Sequence, residues 1–181
     1  MSDLHQHYVC TREEAREILA RHDRFWVSDC GCRAGRGGCA RSRLDLCLAL
    51  VPGETSSPAA EREVTRAAVE EILHEAEEKH LVVRPFRDEA RTQTVGLCFC
   101  CDDCCAYSLR SQEIQCDQGA SVERTERSAC SDCGDCVAVC HSGARRLEGS
   151  ALVLDTAACY GCGLCADVCP SGCITMVKRE P

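Results

Sequence analysis

Aromatic residues are scarce: three Phe, three Tyr and one Trp in 181 residues. So few large rings leave little material for two independent apolar cores at this length. Long apolar runs are missing as well. No stretch approaches the roughly 18 residues that a membrane-spanning helix requires, so no membrane segment is expected. The opening Met1-Ser2-Asp3-Leu4-His5-Gln6-His7 has neither the cationic nor the apolar region of a secretory signal. Positive charge is in deficit, with 21 Lys and Arg against 29 Asp and Glu and a formal charge of -8. The basic face that nucleic acid needs is therefore not expected. No Gly-x-Gly-x-x-Gly run is present, which gives no support to a flavin or nicotinamide cofactor.

Cysteine is what the chain has in excess: 20 residues, about one in nine. Without a secretory signal the expected compartment is the reducing cytoplasm, where such density means metal rather than disulfides. Cysteine also inflates the apolar fraction of 45%; setting it aside leaves about a third of the chain apolar. Metal–thiolate bonds are then expected to replace part of the core, coupling folding to metal loading.

A composition shift at Asp117-Gln118-Gly119-Ala120-Ser121 divides the chain into an N-terminal module, 1–118, and a tail, 119–181, holding eleven and nine cysteines. The tail repeats itself. Cys130-x2-Cys133-x2-Cys136-x3-Cys140 returns 29 residues later as Cys159-x2-Cys162-x2-Cys165-x3-Cys169, and Gly134 aligns with Gly163. Two copies of one unit imply a pseudo-twofold domain, with flanking strands expected around 121–127 and 174–178. Three cysteines at two-residue gaps plus a fourth suit a cubane, whose corners each need one thiolate. They suit zinc poorly, because zinc pairs two C-x2-C half-sites across a longer spacer.

On this repeat, residues 119–181 resemble a bacterial two-[4Fe–4S] ferredoxin. The resemblance implies two cubanes whose fourth ligands cross over: Cys130, Cys133, Cys136 and Cys169 for one, Cys159, Cys162, Cys165 and Cys140 for the other. Pro170 keeps the family's proline after the fourth cysteine, whereas His141 replaces it in the first copy. That histidine is either a hydrogen-bond donor to sulfur or a solvated side chain. Cys173 aligns with Ala144 and is expected to be a packing residue.

The N-terminal module carries Cys30, Cys32, Cys39 and Cys47 in one block and Cys98, Cys100, Cys101, Cys104 and Cys105 in another. Side chains of adjacent cysteines point apart, so the pairs suit one multinuclear cluster or two clusters side by side. Nine thiols exceed the need of one cubane and suffice for two. The alternative is one cubane with the remainder as packing residues. Together with the tail, the blocks resemble a group of anaerobic ferredoxin-like proteins with C-x-C…C…C and C-x-C-C-x2-C-C blocks, which commonly have Asn where Phe99 stands. That resemblance implies one or two further iron–sulfur clusters. Arg33, Arg36, Arg41 and Arg43 interleave with the first block, either to stabilise anionic thiolates or as a solvated loop. Cys10 and Cys116 stand alone and are expected to be spectators.

Local signals predict an α+β fold. Thr11-Arg-Glu-Glu14 is a capping box that opens a helix over 12–22. A strand at Phe25–Val27 leads to Cys30, and Ser57-Pro58 opens a helix over about 58–80. A hairpin turning at 87–90 delivers the chain to Cys98. This order of elements resembles a winged-helix scaffold, which says nothing of function by itself. Were the strands before Cys30 and Cys98 neighbours, both cysteine blocks would emerge at one end of a small sheet.

The composition and motifs fit an electron-transfer protein whose acidic surface meets basic patches on redox partner proteins. Two other readings stay open. The 98–105 block resembles cysteine-rich domains holding non-cubane clusters that reduce disulfides, which would make the chain a redox enzyme. The winged-helix pattern suits a redox- or iron-sensing regulator. Oligomeric state is not legible.

Overall fold

Thr11 starts the first helix as its capping box requires. Its Oγ1 accepts from Glu14 N at 3.1 Å, and its own N–H donates to the Glu14 carboxylate at 2.9 Å. The computed structural model describes residues 4–54, 60–109 and 115–180. Helix α1, Arg12–Leu19, buries Ala15 and Leu19 and stops a turn before residue 22, where the chain tightens toward the first strand. Then follow β1 (Phe25–Ser28), the short α2 (Gly31–Gly35), β2 (Cys47–Ala49), β3 (Arg62–Val64), α3 (Arg66–Glu78), β4 (Val82–Arg87) and β5 (Thr94–Cys100).

Helix α3 begins eight residues later than the sequence suggests. Residues 62–64 are extended and pair with β1, and Thr65 caps the helix by accepting from Ala68 N. The Ser57-Pro58 signal lies outside the described residues. The strands form one antiparallel sheet in the order β3-β1-β2-β5-β4. Pro85 sits in edge strand β4, where its missing N–H costs no ladder bond. The outer side of β4 is covered by residues 6–10, whose Tyr8 and Cys10 N–H groups donate to Pro85 and Val83 carbonyls. Helix, strand, helix and hairpin occur in the expected order, but β2 and β3 enlarge the small sheet of the winged-helix analogy to five strands.

Leu48, Leu97 and Phe99 on the sheet meet Val69, Ile72, Leu73 and Ala76 of α3, giving this half an apolar core of eighteen buried residues. The other half is different in kind. After α4 (Ala106–Leu109) come β6 (Ser121–Thr125), α5 (Asp135–Ala138), β7 (Arg145–Glu148), β8 (Ala151–Leu154), α6 (Leu164–Asp167) and β9 (Ile174–Lys178). Strands β6 and β9 pair, as do β7 and β8, the second hairpin being unanticipated. Its own core consists of Cys136, Leu152, Cys165, Cys173 and Ile174, three of five being cysteine. Gly134 and Gly163 precede α5 and α6 with φ of +86° and +83°, so the internal repeat of the sequence is a repeat of backbone conformation.

Polar contacts join the halves. Glu14 accepts from Ser121 Oγ at 2.8 Å and from Lys178 Nζ at 2.6 Å, and Arg12 pairs with Asp167 at 2.5 Å. Among the described residues no helix is long and apolar enough to cross a membrane.

Candidate metal centres

The two N-terminal cysteine blocks meet because of β2. Strands β1 and β5 are not neighbours; β2 lies between them, antiparallel to both. The start of β2 therefore stands beside the ends of β1 and β5, in the register Ser28–Cys47–Cys98. Cys30 and Cys32 follow β1 directly, and Cys100, Cys101, Cys104 and Cys105 follow or end β5. Blocks separated by fifty residues thus converge at one end of the sheet.

Strand alternation then sorts the thiols. Leu97 and Phe99 face α3, so Cys98 and Cys100 face the other way. Cys100, Cys105, Cys32 and Cys30 stand in a row of neighbouring thiols, 100 beside 105, 105 beside 32 and 32 beside 30. On the α3 side Cys39 and Cys101 lie 3.6 Å apart and Cys101 and Cys104 3.2 Å apart, sulfur to sulfur. Adjacent cysteines 100/101 and 104/105 are split between the two groups. Cys47 and Cys98 oppose each other across the ladder beside Phe86 and Val95; Cys98 also packs against the cluster of Cys100 and Cys105, and its Sγ is 3.8 Å from His7 Nε2.

Two arginines are buried against these sulfurs. Arg33, 1% exposed, donates to the carbonyls of Arg43 and Phe99 and lies against Cys30, Cys39 and Cys101. Arg84 donates to Cys105 Sγ at 3.6 Å and adjoins Cys100. Hydrogen bonding from Cys105, with help from Arg84, outweighs burial and pushes the Cys100 thiol down to about 6. Hydrogen bonds from Cys105 and Cys30 likewise draw Cys32 far down. The same contacts push Cys30 and Cys105 up, so protons are shared within the group, with Cys32 and Cys100 the two drawn toward thiolate, the form that binds metal. Of the other arginines singled out by position, Arg41 clasps Asp102 at 2.7 and 2.9 Å, Arg43 pairs with Asp45 and Glu75, and Arg36 is exposed. Arg84 escaped sequence reading, although a cation inside the apolar run Val82–Phe86 was a usable signal.

In the tail, Cys130, Cys133, Cys136 and Cys169 line one pocket, together with Gly134, Leu152 and Cys173. Cys169 thus opens onto the loop of the first repeat rather than its own. Cys162 in turn feels both Cys140 and Cys159; burial first, then these charges, against a backbone hydrogen bond from Leu164, push it up to about 11. The twofold extends to detail: Cys140 and Cys169 each lie 3.6 Å from a serine hydroxyl, Ser142 and Ser171. Arg145, 3% exposed, donates to Cys136 Sγ at 3.3 Å, pairs with buried Glu123 and adjoins Cys165, so it stands between the two cysteine sets. Arg127 donates to Cys130 Sγ at 3.5 Å. Cys173, buried as a packing residue would be, lies 3.5 Å from Cys169.

The donor chemistry suits iron–sulfur clusters. Each arginine buried against cysteine sulfur, Arg33, Arg84 and Arg145, has an Nε–H that is buried with no partner among the described residues. Unpaired buried donors are costly, and anionic sulfur cages are acceptors for such donors. His141 is half-buried with its Nδ1 also unpartnered. It lines a cavity of about 220 Å³ with Arg84, Tyr107, Ser108, Cys116 and Cys162, between the N-terminal thiols and the second tail set. Cys116, expected to be a bystander, thus borders a cavity, whereas Cys10 is a core residue.

Residues 129–173 match the family described as the 4Fe-4S dicluster domain. The match covers about a quarter of the chain and includes all eight cysteines of the repeat. A comparison with curated proteins finds no match. The tail is a 4Fe–4S ferredoxin-like module, and the chain carries iron–sulfur chemistry.

Proposed function

We propose that the protein is an electron carrier that passes single electrons through two tail [4Fe–4S] clusters of the bacterial ferredoxin type and at least one further N-terminal cluster. The observation that carries this reading is the convergence of two distant cysteine blocks at one end of a sheet joined to a dicluster tail. In the tail, Cys130, Cys133, Cys136 and Cys169 would hold one cluster and Cys159, Cys162, Cys165 and Cys140 the other. Cys30, Cys32, Cys100 and Cys105 supply four thiols for a third. When bound, such clusters supply reversible one-electron chemistry.

The chain's own residues set the terms of that chemistry. Arg84, Arg127 and Arg145 donate to ligand sulfur, which favours the more negative, reduced state and raises its potential. Burial of Cys100, Cys105, Cys136, Cys159 and Cys165 excludes water and works in the opposite sense. The net charge of -8 suits basic docking faces on partner proteins, and the thiol content suits a reducing, anaerobic cytoplasm.

A second reading has one observation behind it. The cavity bordered by Arg84, Ser108 and His141 would admit a small anionic substrate, making the chain a reductase fed by its own tail. Reductive titration followed by electron paramagnetic resonance tests both. The carrier reading expects signals from at least three one-electron centres, unchanged by small molecules. It also expects Cys169→Ala to remove the signal of the cluster shared with Cys130 while leaving that of the Cys159 set. A substrate that reoxidises the protein catalytically would favour the reductase instead.

A further inference from the structure

The group Cys39, Cys101 and Cys104 has a geometry of its own. Its three sulfurs all lie within 4.8 Å of one another, and among the described residues no other set of three or more metal-binding side chains is so close. The tail provides an internal comparison, since none of its cysteine sets meets that spacing. In a cubane each thiolate sits on its own iron at a separate corner of the cage, which holds the sulfurs well apart. On one tetrahedral ion with metal–sulfur bonds of about 2.3 Å, the sulfurs stand about 3.8 Å apart. The observed separations, 3.6 Å for Cys39–Cys101 and 3.2 Å for Cys101–Cys104, belong to the second case.

The surroundings hold this arrangement in place. Cys101-Asp102-Asp103-Cys104 has the C-x2-C spacing of a zinc half-site. Both intervening aspartates grip the residues just after Cys39: Asp103 accepts from Ala40 N at 2.8 Å, and Asp102 takes both arms of Arg41. The loop bearing Cys39 is thereby clamped onto a turn about sixty positions away in sequence. Cys101 and Cys104 are buried, Cys39 less so, and the guanidinium of Arg33 lies against Cys39 and Cys101. Three thiolates around a divalent ion leave one net negative charge, which Arg33 offsets.

We propose that Cys39, Cys101 and Cys104 bind one tetrahedral thiophilic divalent ion, zinc, separate from the iron–sulfur clusters, with the partly exposed side of the site leaving the fourth position to water. The inference deepens the cofactor reading above, assigning three of the nine N-terminal thiols to a mononuclear ion. With three protein ligands and a fourth position open, the site departs from closed four-ligand structural zinc sites and matches those that keep a water-accessible position.

Metal analysis of the full chain, isolated anaerobically, decides it. The expected result is about one zinc per chain, falling at least fivefold in Cys39→Ser and Cys104→Ser while iron and acid-labile sulfide hold. Cobalt exchanged into the wild-type protein, which needs no variant to fold, should give the visible bands of a tetrahedral thiolate site at one equivalent. Three results would overturn the proposal: loss of about a third of the iron and sulfide in Cys39→Ser, a Cys101–Cys104 disulfide in the isolated protein, or cobalt that yields no such bands. Absence of N-terminal iron alongside one bound zinc would instead count against the third cluster and leave the zinc site standing.

Discussion

Replacing Arg145 by Met should destabilise the tail more than any other single change outside the cysteines. The side chain is 1% exposed and its partner Glu123 4% exposed, so the pair is closed off from water. Besides Glu123, Arg145 donates to Thr125 Oγ1 at 2.8 Å and to Cys136 Sγ at 3.3 Å. Removing it strands a buried carboxylate whose remaining side-chain donor is Thr125. Breaking one side of a buried ion pair costs about 3–5 kcal/mol, whereas replacing both partners with apolar side chains is often close to neutral. About 4 kcal/mol in a domain of some sixty residues corresponds to a fall of about 30 °C in midpoint. The double variant Glu123→Leu/Arg145→Met should recover most of that fall, apart from about 1 kcal/mol for the lost donor to Cys136. The assay is thermal unfolding of holoprotein under anaerobic conditions at one fixed scan rate, because cluster loss makes unfolding irreversible. A single variant whose midpoint lies within about 8 °C of wild type, or a double variant as unstable as the single, would refute the reasoning.

Further outcomes follow from other contacts. Burial alone would raise the Glu14 carboxyl, but hydrogen bonds from Lys178, Thr11 N–H and Ser121 outweigh it and hold it below its usual range. Its stabilisation is then full above the unfolded carboxylate pKa and lost as pH falls through the lower folded value, so Glu14→Gln should flatten the acid limb of a stability–pH curve. Arg84→Gln removes a cation beside Cys100 and Cys105 and should lower the potential of the N-terminal cluster by about 60 mV, if the lost charge-assisted bond is worth about 1.5 kcal/mol; voltammetry reads it directly. Chelation with oxidation should abolish amide-exchange protection in β6–β9 and spare β2, β5 and α3, because one half has an apolar core and the other a core of cysteine. Equal loss of protection in both halves would contradict that division.

The tail was the most legible part of the sequence. A 29-residue repeat with glycine at one position in each copy gave the pseudo-twofold, and β6 and β9 lie within two residues of their expected spans. Helix α1 was readable from its capping box, and the β4–β5 hairpin from two apolar runs around a polar turn. Three-residue strands are another matter. β2 and β3 carry too few residues for alternation to register, and β3 was absorbed into the front of α3. Missing β2 hid the element that brings the two cysteine blocks together. The sorting of Cys100 and Cys105 from Cys101 and Cys104 was foreshadowed by the rule that adjacent side chains diverge. Its outcome depended on which face of β5 meets α3, a tertiary fact. Buried Arg84 and Arg145 were hard to find because a cation is ordinarily read as surface, whereas Arg33 stood out by its place beside Cys32.

The central claim is that this chain holds more iron–sulfur chemistry than its tail alone. Iron and acid-labile sulfide counted per chain, in full-length protein isolated anaerobically, test it most directly. The account predicts about twelve of each, four for every cubane set of thiols, and rapid loss of both on exposure to air. About eight of each, with the N-terminal thiols free or holding zinc alone, would contradict it and leave a two-cluster ferredoxin joined to a thiol-rich sheet.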